Sequence, residues 1–141
     1  MFEQDYLVRM LVALAHAMRR SMERASGEHD THAGAEMLDH AVGEAVDLDR
    51  EVFLNLAPES ISSILMVTGA HPQLIGFVAR SLLLSGHYYT QAGNPELGEL
   101  RRAQAYALSN SFDLGLSEDD ITDEALQAFL DDFDDSTSDV S

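Results

Sequence analysis

At 141 residues the chain suits one domain, long enough to bury roughly two-thirds of its unfolded surface. It contains no cysteine and no lysine, which excludes a thiol nucleophile, a thiolate metal site, a Schiff-base lysine, a lysine general base and a lysine-bearing phosphate loop. A formal net charge of −17 repels phosphate backbones, so nucleic acid is disfavoured and basic partners are favoured.

The charge is uneven. Residues 1–24 carry Arg9, Arg19, Arg20 and Arg24 against Glu3, Asp5 and Glu23, a net +1. Residues 118–141 carry ten acids and no base. Residues 2–24 read as an amphipathic helix: Leu7, Met10, Leu11, Leu14 and Met18 share one stripe, with Asp5, Arg9, His16, Arg20 and Glu23 opposite. Acids near its start and arginines near its end match the helix dipole, and Ser26-Gly27 stops it. Its apolar run, Met10 to Met18, is about half of the ~20 residues a membrane span needs. Glu3 and Asp5 stand where a signal peptide wants positive charge, so a cytoplasmic protein is expected.

After a polar loop, a second helix runs from about His32 to Asp47, with Met37, Leu38, Ala41, Ala45 and Leu48 inward. Its wet side is read as Glu36, Asp39, His40 and Asp47. A short helical piece from Arg50 must end before Pro58, which starts the next helix, closed by Gly69. His71-Pro72 opens a long helix, with His71 as its cap. Gly93-Asn94-Pro95 then hinges it onto another, with Gly at a helix end, Asn capping and Pro in a first turn. Small Gly86 is expected to lie where the paired helix, near Ala103 and Ala107, approaches closely. Asp113-Leu114-Gly115 is a turn, and Ser117 with Asp120 forms a capping box. The last helix, about Thr122 to Phe133, carries Ala125, Leu126, Phe129, Leu130 and Phe133 on one stripe. Four aspartates crowd its C-terminal end, against the dipole, so residues 134–141 are expected to be a disordered acidic tail.

Leu82, Gly86 and Tyr89 resemble the first helix of a tetratricopeptide repeat, W-x2-L-G-x2-Y, with Ser85 where a leucine is usual. No second copy of the hairpin occurs, which excludes a repeat array. The opening Met1-Phe2-Glu3-Gln4-Asp5-Tyr6-Leu7-Val8-Arg9-Met10 resembles a family of small bacterial proteins that begin M-F-x-x-D-Y-x-x-R-x-I. The likeness extends to the segment SLLLSGHYYTQAGNPELGELRRAQAYAL. It implies a helical fold and supplies no catalytic residue.

His32, Glu36 and His40, within the dense His29–His40 segment, are the weak candidates for metal ligands, since two imidazoles and a carboxylate suit a transition metal. They share one helix face at i, i+4 and i+8, but His32 and His40 lie about 12 Å apart along the axis. The face is also where a helix puts its polar residues, so no metal and no cofactor is expected. No G-x-S-x-G occurs, and nothing singles out a catalytic pair among the 25 acids. Tyr88, Arg101 and Arg102 are expected near the surface as partner-binding residues, with Tyr89 inward and His87 outward.

The expectation is therefore an all-α bundle of about six helices, a single domain over residues 1–133. Its function is read as non-catalytic protein interaction or scaffolding, with a protein partner for which a second copy of the chain is one candidate, no nucleic acid and no enzyme activity. Attachment to a membrane surface through residues 1–24 and a divalent-metal response through His29–His40 are the alternatives; +1 is a small basic excess for a lipid-bound helix.

Overall fold

Proline sets where three helices begin. Pro58, Pro72 and Pro95 each occupy the first turn, where a missing N–H leaves no bond unmade. Ahead of Pro72, the His71 ring accepts from the Gln73 amide at 3.1 Å, and ahead of Pro95 the Asn94 side chain accepts from Leu97 at 3.4 Å. The computed structural model describes residues 2–138, and these are all-α. The helices are α1 (Phe2–Met22), α2 (Thr31–Val46), α3 (Arg50–Leu54), α4 (Pro58–Thr68), α5 (Pro72–Gln91), α6 (Pro95–Ser111) and α7 (Asp123–Ser138). Glu23–Gly27 continues α1 as a π-helical turn, and Glu118–Ile121 is a 3-10 turn closed by the Ser117/Asp120 capping box.

α5 lies at the centre, packed on α1, α2 and α6, while α4 covers α6. Leu82, Leu83 and Leu84 of α5 are all buried, so this helix is apolar on nearly every side, as a central helix must be. Leu11, Leu14 and Met18 of α1 are also buried, which commits the apolar stripe of that helix to the core. No helix among the described residues is long and apolar enough to cross a membrane.

Three sequence expectations are corrected. The paired helix does approach Gly86 closely, but around Gly98 and Arg101 rather than near Ala103 and Ala107: a Cβ on Gly86 would lie 2.8 Å from the Gly98 carbonyl oxygen and 3.1 Å from Arg101 Cβ. Gly98 is the reciprocal partner, because a Cβ on it would run into the Thr90 hydroxyl and the Gly86 carbonyl. The hairpin thus crosses at a glycine pair near its turn, so two backbones come closer than side chains would allow. In α2 the buried side is Gly34, Ala35, Leu38, Asp39, Val42, Gly43 and Ala45, so Asp39 faces inward. Met37 and Ala41 are displaced to a half-exposed flank, since α2 packs against both α1 and α5.

The third correction concerns α7, which continues past Phe133 to Ser138. Arg19 of α1 reaches Asp134 at 2.6 Å and Asp131 at 3.8 Å, supplying the positive charge that the local sequence lacks. Leu126, Leu130 and Phe133 are buried, with Phe133 5.1 Å from the ring of Phe77, so α7 docks on the domain. Residues 139–141 of the expected tail lie outside the described residues.

Candidate functional site

The densest polar constellation surrounds Asp39, only 6% exposed, and Arg101, only 4% exposed. Arg101 Nε donates to Asp39 Oδ1 at 3.1 Å and Oδ2 at 3.3 Å, and Nη2 donates to Oδ2 at 3.1 Å. Two hydroxyls from α5 complete the carboxylate: Ser85 donates to Oδ1 at 2.8 Å and Tyr89 to Oδ2 at 2.7 Å. On its other side Arg101 Nη1 donates to the Leu54 carbonyl at 2.6 Å and to Gln104 Oε1 at 3.2 Å. Gln104 Nε2 in turn donates to the carbonyls of Leu54 and Leu56, each at 2.9 Å. These are carbonyls at the end of α3, which its own helix cannot satisfy.

One charge pair therefore ties α2, α5 and α6 to the end of α3. Its chemistry is that of a clamp. The carboxylate lone pairs and most guanidinium donors are engaged within the protein, leaving little capacity for a reacting group. Burial, and then the bond to Asp39, push the Tyr89 phenol well above its ordinary range, which keeps it a proton donor at neutral pH. A recess of about 140 Å³ borders the pair, rimmed by Glu36, Arg50, Glu51 and Asn55.

Sequence reasoning placed Arg101 and Tyr88 at the surface, and both are buried. Arg101 turns inward because Asp39 is inside to receive it. Tyr88, 6% exposed, fills space that Gly34 leaves open: a Cβ on Gly34 would stand 3.3 Å from its ring. Burial raises the Tyr88 phenol to about 12. Arg102 is exposed, paired with Glu118 at 2.9 Å, with its guanidinium 5.8 Å from the centre of the Tyr106 ring. His87 is exposed and Tyr89 buried.

The three metal candidates do not converge. His32 pairs with Glu36 at 3.3 Å, whereas His40 pairs with Glu44 at 3.6 Å and has its Nδ1 3.3 Å from Arg50 Nη1. Among the described residues no three His, Asp or Glu side chains form a group that could hold a metal ion.

What sequence reasoning missed is a groove between α1 and α2. Met10, Ala13 and Ala17 on one side and Met37, Ala41 and Ala45 on the other form an apolar trough of about 380 Å³. His16 and Arg20 border it from α1, and His40 and Glu44 from α2. Its signal was present in the sequence. Alanines at i, i+4 on both helices leave no side chain long enough to close the seam, and Val12 and Tyr6 nearby on α1 are 47% and 48% exposed. Protein-family models, curated proteins and solved structures contain no match to the chain.

Proposed function

We propose that the chain is a non-catalytic protein-interaction domain that receives a helical protein surface in the α1–α2 groove. The observation that carries this reading is the groove itself: an apolar floor, open to solvent, bordered by a cation and an anion. A helix laid between two helices buries its apolar face against both and leaves its polar face wet. The engagement of Asp39, Arg101, Ser85 and Tyr89 with one another supports a structural use of the strongest polar groups. Behind the groove, the tetratricopeptide-like hairpin of α5 and α6 serves as the rigid scaffold against which α1 and α2 pack.

Ala13 is exposed, so Ala13→Glu places a charge in the trough with no cost to the core. The wild-type chain and this variant, immobilised separately, are presented with native cell extract. A protein retained by the first and lost by the second supports the reading, free copies of the chain included. Equal retention by both, or no retention by either, overturns it.

A further inference from the structure

We propose that the recess beside the Asp39–Arg101 clamp is a binding site for a small zwitterionic α-amino acid, the size of glycine or alanine. The first observation is a donor with nothing to donate to. A guanidinium carries five N–H groups. In Arg101, Nε shares its one between the two Asp39 oxygens, Nη1 gives both of its own to the Leu54 carbonyl and Gln104, and Nη2 gives one to Asp39 Oδ2. The second N–H of Nη2 meets no acceptor among the described residues, although the side chain is buried. A buried charged donor left unmade is costly. Arg101 lines the recess, so an acceptor atom seated there completes its set.

The charges around the recess choose among occupants. Asp39 and Arg101 neutralise each other, which leaves Arg50, Glu36 and Glu51 on the rim. A simple anion would satisfy Arg50 and the spare Arg101 N–H but would face two carboxylates. A simple cation would satisfy the carboxylates but leave that N–H unmade and face Arg50. A molecule with both charges uses all of them: its carboxylate accepts from Arg101 Nη2 and Arg50, and its ammonium donates to Glu36 and Glu51. Size narrows the class further. At ~30 Å³ per water, the recess of about 140 Å³ holds roughly five waters, which matches glycine or alanine and excludes long side chains. The floor of Asp39, Tyr89 and Arg101 is fixed by its own bonds, so little order is lost there on binding. The rim is free to turn. Glu36 is 64% exposed with only His32 at 3.3 Å, and Arg50 Nη1 lies 3.3 Å from His40 Nδ1, surface pairings that cost little to give up.

The test is saturation-transfer NMR on the purified full chain, with alanine titrated through the millimolar range and its methyl signal observed. Saturable transfer is expected, and glycine should compete it away. Propionate and ethylamine keep the carbon skeleton with one charge each, and should bind at least about tenfold more weakly. Glu51→Gln and Arg50→Gln should each weaken alanine by about tenfold, with circular dichroism confirming that both melt as wild type does. Glutamine at position 50 keeps the Cβ and Cγ that lie against Gly43. Ala13→Glu, in the distant apolar groove, should leave alanine binding unchanged. Absence of saturable transfer overturns the proposal. So does propionate or ethylamine binding as well as alanine, or alanine binding that neither variant at positions 50 and 51 weakens.

Discussion

Replacing Arg101 with leucine removes the cation paired with Asp39 in the buried clamp. Five short contacts to Asp39, Leu54 and Gln104 disappear, and the carboxylate keeps only the Ser85 and Tyr89 hydroxyls as donors. Breaking a buried ion pair by deleting one partner costs about 3–5 kcal/mol, because the remaining charge stays largely buried without its bonded counter-ion. A domain of this size is stable by roughly 5–15 kcal/mol, so one substitution consumes a third or more of a typical margin. At about 2–4 °C per kcal/mol, the melting temperature should fall by about 10–15 °C in a thermal scan followed by circular dichroism. Adding Asp39→Asn to this variant removes the stranded charge while retaining oxygen and nitrogen for the two hydroxyls. The double variant should therefore melt several degrees above Arg101→Leu alone, although Asp39→Asn in the wild-type background lowers stability. A melt for Arg101→Leu within a degree or two of wild type refutes the clamp. So does a second substitution that simply adds its own loss, since residues in one network do not behave additively.

Gly98→Ala should destabilise by about 1–3 kcal/mol in urea titration, because its Cβ meets the Gly86 carbonyl and Thr90; an unchanged midpoint would mean that the hairpin crosses elsewhere. Phe133→Ala should lower global stability by about 3 kcal/mol through its lost contact with Phe77, and an unaltered main transition would show α7 to be detachable. Alkaline stability follows from two raised phenols, Tyr88 to about 12 and Tyr89 higher still. Above the unfolded phenol pKa of about 10 the unfolded chain releases these protons while the folded chain keeps them, so stability is full below that pH and declines above it. The decline should approach about 1 kcal/mol per pH unit for each phenol, and Tyr88→Phe should shallow it; denaturant midpoints that stay level from pH 9 to about 11 would contradict the burial of both rings.

Helix identity and most helix ends were legible in the sequence, because they depend on chemistry within a few residues. Pro58, Pro72 and Pro95 in first turns, Asn94 and His71 as caps, Gly69 at a C-terminus and the Ser117/Asp120 box are all local devices. The all-α class and the inward stripe of α1 follow from periodicity for the same reason. The orientation of polar residues was not legible. Asp39 and Arg101 are separated by 62 positions, and neither has a reason to be buried until the other is beside it. Tyr88 depends likewise on Gly34, and the end of α7 on Arg19, 115 residues away from Asp134. The groove belongs to the same class, since a run of alanine and methionine reads equally as core or as open seam. Which of these it is depends on whether a third helix arrives to cover it, and only the packing of α2 against α1 and α5 shows that, among the described residues, none does.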